Sequence, residues 1–541
     1  MLFFLPGLRA NIPTSERNAL IDIYNATGGP NWNTKWGWLG ASGTEHTWYG
    51  VTLNAAQTHV IQLSLNYNNL TGTLPETIGQ LTELEKLSLT NNKLSGAIPF
   101  GISSCSKLVY LVLDDNYLSG AIPDSIGNLT NLRELRLKRN QLAGTLPTTI
   151  GDLSNLQILE LDQNQLSGGI PTSIGSLSNL TVLGLGTNNL TGGIPSTLGS
   201  LAQLAVLNLL NNPLGGSIPT ELASLPDLWA LSLDNCELVG EIPSVLANLP
   251  ELTQLMLSGN YLTGSIPSNF SNCKKLRVLN LSNNQLEGSI PDGLGDIPTI
   301  EWIELNDNRL TGIVPASLFH CQTPGYRILH LERNFFTGIS EDLHATPGTV
   351  SINLSENMIE SLPNSLENCT QVAYISLKKN YLGDGFPSML LEMTQLQGLD
   401  LSQNLIGGTI PPEIGNLINL RSLYLNGNAL WGEVPPQIKN LQNLDLDSGL
   451  DLSYNALYTT DDTVRDFIDE RGYSLEYSRQ TVPPEMIRWG FQEPDTLQVV
   501  WSPIYYTWDD GFYQIFQRQE QSGEMVWLAE TSDKTATGII I

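Results

Sequence analysis

The chain has 541 residues and carries 54 Asp and Glu against 26 Lys and Arg, a formal charge of −28. A field of that sign repels nucleic acid and anionic membrane surfaces, so neither is an expected partner. No run of 18 apolar residues occurs, so nothing is long enough to span a bilayer, and the 41% of apolar residues is spread periodically, as in a long, thin core.

Residues 1–10, MLFFLPGLRA, read as the remnant of a signal peptide, an apolar run closing on Leu8-Arg9-Ala10. The start of the natural chain is therefore expected upstream. Residues 11–59 read as an N-terminal cap. A helix is expected to start at Ser15, with Leu20, Ile21 and Tyr24 as its apolar positions, and Trp32, Trp36, Trp38 and Trp48 cluster behind it. Capping accounts for these tryptophans better than sugar stacking does, because a stack of repeats beginning at residue 60 would leave its first apolar end open.

Residues 60–455 repeat one pattern, L-x-x-L-x-L-x-x-N-x-L-x-G-x-[IL]-P. Its Asn falls at Asn68, Asn92, Asn116, Asn140, Asn164, Asn188 and Asn212, is replaced once by Cys236, and returns at Asn260, Asn284 and Asn308, always 24 residues apart. A looser series continues through Asn334, Asn357, Asn380, Asn404, Asn428 and Asn455, making 17 turns. In Leu135-x-Leu137 the leucines point inward and the residue between them outward, the alternation of a short strand. Asn140 follows where the chain bends inward, and a file of such amides can satisfy backbone groups that no strand partner reaches. Gly144 permits a tight bend and Pro147 sets φ on the return leg. A single turn cannot bury its own leucines, so stability is a nearest-neighbour sum, and the open ends need caps.

This L-x-G-x-I-P pattern resembles the plant-type class of the leucine-rich repeat family. The cap sequence TGGPNWNTKWGW followed by TWYGV resembles that of secreted bacterial and plant-type members. Leu53 stands where a cap cysteine is usual, which points to a microbial rather than a plant source. The resemblance implies an α/β solenoid: a right-handed superhelix with a parallel concave β-sheet and helical caps, used to bind other molecules.

The period breaks between Asn308 and Asn380, with gaps of 26, 23 and 23. Insertions in repeat proteins fall in loops on one face and are often functional. Cys105, Cys273, Cys321 and Cys369 occupy a slot that Leu fills elsewhere, and Cys236 a ladder slot, so all five are expected unpaired. Cys273, Cys321 and Cys369 lie two turns apart, roughly 10 Å, beyond the reach of a disulfide.

Residues 456–478 contain a C-terminal capping helix, with Val464, Phe467 and Ile468 at helical spacing and Gly472 at its end. Residues 479–541 read as a linker, SRQTVPPEMIRW (beginning at Ser478), and three alternating, aromatic-rich strands. Their order, with Trp501 in an inter-sheet position, resembles a truncated fibronectin type III domain, an all-β sandwich fragment from a protein expected to continue.

Counting from each ladder Asn as n, the outward positions are n−6, n−4, n−2 and n−1. The n−6 column (Ile158, Val182, Val206, Ala230, Gln254, Val278, Trp302, Ile328) is mostly apolar; it is either an exposed stripe or half covered by neighbouring turns. One cluster gathers Glu134, Arg136, Lys138 and Arg139 beside Asp114 and Asp115 on one side and Glu160 and Asp162 on the other, where cross-strand pairing such as Asp114–Lys138–Asp162 is expected; an anion docking on Arg136 and Arg139 is the alternative. A second comprises Trp302, Glu304, Asp307, His330, Glu332, Arg333, Tyr374, Lys378 and Lys379, beside the irregular turns. Trp, Tyr and Arg are common interface anchors, so a partner is placed here.

No H-E-x-x-H, G-x-S-x-G, phosphate-binding loop or calcium loop occurs, and no cofactor or metal is expected. Sequons such as Asn128 and Asn179 fall out of the repeat itself. The reading is a non-enzymatic, secreted or cell-surface protein whose concave face binds a protein, peptide or glycan. A structural adhesin or surface-layer component, and an inhibitor of a polysaccharide-degrading enzyme, are the alternatives.

Overall fold

The computed structural model describes residues 11–472, apart from 322–324, 346 and 384, and beyond these the backbone of five further strands. The chain divides into two compact units, Met1–Gln285 and Leu286–Ile541.

The first unit opens with the helix Thr14–Ala26. It starts one residue before the expected Ser15, because the Pro13 carbonyl already accepts from the Arg17 amide at 3.1 Å. The buried face is Ala19, Leu20, Ile23 and Tyr24; Ile21 is only half-buried. Two cap tryptophans, Trp32 and Trp38, pack around Tyr24 and a third, Trp48, packs on Trp38, with centroids 4.9–5.8 Å apart. Their indole N–H groups at Trp32 and Trp38 reach the Thr27 and Tyr49 carbonyls, each at 2.9 Å, which removes the cost of burying them. Trp36 differs, turning outward against Tyr49 with 63% exposure. Buried Glu16 accepts from the Val60 amide at 2.8 Å and lies 2.6 Å from His59 Nδ1, tying the helix to the first repeat. Strand Val51–Leu53 pairs antiparallel with Val60–Ser64 and closes the open edge of the sheet.

Each following turn contributes a three-residue strand of the form x-Leu-x. Glu134–Arg136, Ile158–Glu160, Val182–Gly184 and Val206–Asn208 pair in parallel with the same 24-residue offset. The inward leucines are fully buried. Asn140 shows what the ladder amide does: Nδ2 donates to the Leu113 and Leu137 carbonyls at 3.1 and 3.0 Å, and Oδ1 accepts from the Leu118 amide at 3.0 Å. Proline then leads into a 3-10 turn, as Pro147 does at φ −67° before Thr148–Asp152.

Two regularities were not legible in the pattern. The residue before the ladder Asn is left-handed turn after turn, even where it is not glycine: Asp115, Arg139 and Thr187 have φ of 55, 51 and 55°. Such a conformation costs a non-glycine residue roughly 1–2 kcal/mol and is sustained here by the hydrogen bonds on either side. The second is a flanking parallel sheet of six strands, running from Thr71–Thr73 to Asn189–Thr191. It stops at the next turn for a chemical reason. Pro213 has no N–H to continue it, and Cys236 offers no amide oxygen to the Leu214 N–H, which turns back to the Asn212 carbonyl at 2.7 Å instead. Cys236 Sγ takes over only the donor half of the ladder, toward Leu209 O at 3.2 Å.

In the second unit, strands Trp302–Glu304, Tyr326–His330, Thr349–Asn353, Val372–Ser376, Gly398–Asp400, Ser422–Tyr424 and Leu450–Asp451 pair in sequence order. The broken period appears as a register shift between Val350 and Ser351 and as buried Arg327, whose guanidinium donates to the Ser317 and Leu318 carbonyls at 3.1 and 3.2 Å. Helix Asp462–Arg471 caps the stack. Asp461 accepts from the Thr463 amide at 2.8 Å, and Val464, Phe467 and Ile468 are buried.

Beyond it, Thr496–Ser502 pairs antiparallel with Glu485–Glu493 and Gly538–Ile540, and Gln514–Arg518 with Met525–Glu530. The expected linker is thereby corrected. Its second half, EMIRW, is strand, because Met486, Arg488 and Gly490 alternate with Ile487, Trp489 and Phe491. Trp501 falls within a described strand, but its side chain lies outside what the structure describes. Residues 1–10, read as a leader remnant, also lie outside the described residues. All five cysteines are free and buried.

Candidate functional site on the open face of the sheet

The side chains at n−6, n−4, n−2 and n−1 form the solvent face of each sheet, and their partners decide which are available to a ligand. In the first unit Arg136 sits between Glu134, at 2.9 Å, and Glu160. Lys138 Nζ lies 3.7 Å from Glu160, and Arg139 lies 3.2 Å from Asp115. Both candidate arginines are thus engaged within the sheet. The expected Asp114–Lys138–Asp162 file of ion pairs does not form. Asp114 Oδ1 instead accepts from the Lys138 backbone amide, and Asp162 Oδ1 from the Gly186 amide, each at 2.9 Å.

The reason is geometric. The n−2 amide lies past the end of its strand and has no carbonyl opposite, so an acceptor side chain must supply one. Asn66 and Asp234 do the same for Thr90 and Ser258, at 2.8 and 3.0 Å. In the second unit Asn353, Asp400 and Asp451 accept from the amides of Ser355, Ser402 and Ser453 two residues ahead, at 3.1, 2.9 and 2.9 Å. Acidic residues that look like ligand groups in the sequence are therefore backbone acceptors. Burial of Asp114 pushes its pKa up to about 6 against the pull of Lys138, and burial also raises Asp162 and Asp234.

The n−6 column is half-covered at Ile158, Val182, Val206 and Val278 and buried at Ala230. Adjacent turns flank each of these short side chains, so no continuous apolar stripe is open in the first unit. In the second unit Trp302 stands clear at 40% exposure, its ring edge-on to His330 at 6.5 Å.

Eight of the ten candidate residues come together here, on turns of one paired sheet. Register aligns Trp302, Ile328, Ser351, Tyr374 and Gly398 in one row, and Glu304, His330, Asn353, Ser376 and Asp400 in the next. Beyond the strand ends follow Glu332, Ser355 and Lys378, then Asp307, Arg333, Glu356 and Lys379. Arg333 is bound to Asp307 through both its Nε and an Nη, the latter at 2.7 Å. This hydrogen bond holds the Asp307 carboxyl below its usual range and Arg333 above its own. Lys379 Nζ lies 3.6 Å from Glu356. His330 Nδ1 is 4.0 Å from Glu304.

Tyr374 leans onto Gly398, where a Cβ would meet its ring at once; burial first, then the Asp400 charge, raises its phenol pKa. Between the His330 and Tyr374 strands lies a strand whose outward residues, Ser351, Asn353 and Ser355, are all short. They form the floor of a shallow trough that sequence reasoning passed over. Its one signal was the S-x-N-x-S spacing of SINLSEN at 351–357.

Family models of the leucine-rich repeat region match residues 124–238, of the leucine rich repeat residues 250–310, and of the single repeat residues 59–81, 83–105, 107–129, 395–417 and 419–447. No curated protein sequence matches the chain. Among solved structures, a TDR receptor is 31% identical over 73% of this chain and 68% of its own, with a TM-score of 0.63. The Arabidopsis receptor kinase HAESA, in complex with the peptide hormone IDA and the co-receptor SERK1, is 29% identical over 82% of both chains, with a TM-score of 0.59. The Leptospira interrogans leucine-rich repeat protein LIC12759 is 29% identical over 73% of this chain and 92% of its own, with a TM-score of 0.53. No helix among the described residues is long and apolar enough to cross a membrane.

Proposed function

Because the chain belongs to the leucine-rich repeat family, we propose that it is a recognition protein that captures a peptide or protein segment on the open face of its second-unit sheet, outside the cell. The observation that carries this reading is the face around Trp302. An exposed indole, an imidazole, a half-buried phenol and charged groups are held in register on short strands. A face so braced loses little conformational freedom on association, which leaves more of the contact energy as affinity. The HAESA structure, bound to a peptide hormone, and its likeness to this chain support a peptide as ligand and an extracellular setting.

The test is the double substitution Trp302→Ala with Arg333→Ala. Trp302 is exposed, and Arg333 contributes one surface ion pair worth about 0–1 kcal/mol, so the fold is retained. Capture of a selected peptide ligand is expected to disappear while the thermal unfolding midpoint stays near that of the parent. Unchanged capture removes this face from consideration.

A further inference from the structure

On this face the carboxylates divide into those already engaged and those not. Asp307 is held by Arg333, Glu356 by Lys379, and Asp400 and Asp451 by serine amides and hydroxyls of their own turns. Glu304 lies 4.0 Å from His330 Nδ1, and Glu332 remains. Glu332 is only 9% exposed, yet its Oε2 has no hydrogen-bond partner. Its other contacts are weak compensation: its own backbone amide, the charges of His330 and Arg333 nearby, and Asp307, which opposes it. A buried carboxylate left in this state costs free energy that a cation would recover. Lys378, two turns further on, makes no ion pair among the described residues, and Ser355 stands between them, so the floor separates the two charges by about two strand spacings, roughly 10 Å.

We propose that the trough over Ser351, Asn353 and Ser355 is a subsite for a basic side chain, lysine or arginine, of a bound peptide, with its cation at Glu332. This deepens the peptide-capture reading above and rests on it. The walls suit such a guest: Ile328 and Tyr374 stand on the strands to either side of the floor, so the alkyl stem lies between them, and His330 and Glu304 lie on the near side. The chain's net charge of −28 favours the approach of a cationic partner from a distance.

The experiment pans a random dodecapeptide library on the full chain and measures the affinity of a recovered peptide for the parent, Glu332→Gln and Lys378→Glu proteins. Recovered peptides are expected to carry Lys or Arg at a common position. Affinity is expected to fall on the order of thirtyfold in Glu332→Gln and to rise in Lys378→Glu, which adds a carboxylate to the rim. Glu332→Gln keeps the side chain's shape and removes an unpartnered charge, so its unfolding midpoint should not fall below the parent's. Peptides recovered without a basic position, or equal affinity for parent and Glu332→Gln, overturn this subsite while leaving peptide capture standing. A library that yields no peptide above background overturns peptide capture itself, and the subsite with it.

Discussion

Replacing Asp114 with Asn tests whether the acids of the open face are backbone acceptors or ligand groups. Asp114 is 5% exposed, and its Oδ1 accepts from the Lys138 amide. Asn66 fills the same position two turns earlier and accepts from the Thr90 amide at 2.8 Å, so an amide suits the job without the charge. Burial raises Asp114 from 3.8 to about 6. A rise of about two units, at 1.36 kcal/mol per unit, corresponds to at most about 3 kcal/mol. The folded pKa lies above the unfolded one, so the folded chain binds the extra proton between these values. Stability therefore falls as pH rises from about 4 to about 6, and the full penalty is present above that window. Asp114→Asn should be more stable than the parent at pH 7, by up to about 3 kcal/mol, and the two should converge near pH 4. Urea unfolding of both proteins across pH 4–8 measures the difference. A variant less stable than the parent at pH 7, or a difference that does not change with pH, would refute the assignment.

Asn260→Ala should destabilise by about 4 kcal/mol, since it strands the buried Cys236 and Leu238 amides at about 1–3 kcal/mol each, along with carbonyls of its own turn. Asn269→Ala, which loses one exposed bond to Ser244, should cost under about 1 kcal/mol by comparison, and equal losses in denaturant titrations would contradict the ladder's role. The thiols of Cys105 and Cys236, pushed up to about 12 by burial, should stay unmodified by a thiol reagent at pH 8 until denaturant is added; rapid labelling of the native chain would show them accessible. Burial, then the His344 charge, lowers the pKa of His320, whose ring centroid lies 3.5 Å from that of His344 with the planes tilted by 42°; the Arg327 charge acts in the same direction and the Asp296 charge opposes it. A depressed base loses stability as pH falls below its unfolded value of about 6.5. Exchange of the Gly348 amide, bonded to the Cys321 carbonyl at 3.1 Å, should therefore accelerate between pH 7 and 5 after correction for intrinsic rate. A flat profile would exclude the histidine pair as the cause.

Much of the molecule is written in the spacing of Leu, Asn and Pro. One Leu-x-Leu per 24 residues dictates a short strand, and the Asn beside it a ladder, because those amides have no other place to bond once the leucines are inside. The apolar positions Val464, Phe467 and Ile468 likewise specify the terminal helix by period alone. The partners of charged side chains were only partly written there: Arg136 meets Glu160 and Arg139 meets Asp115 across the strands as the spacing suggests. Asp114 and Asp162 look paired with Lys138 in a linear count, yet the Lys138 and Gly186 amides of the next turns lie past their strand ends and take those carboxylates as acceptors. Whether Glu332 is free or engaged depends on which residues stand across the sheet, 20 or more positions away, and on the register slip between Val350 and Ser351. Local periodicity determines which atoms must be buried; only the packed sheet decides which buried polar atoms go unanswered, because that is settled between turns and not within one.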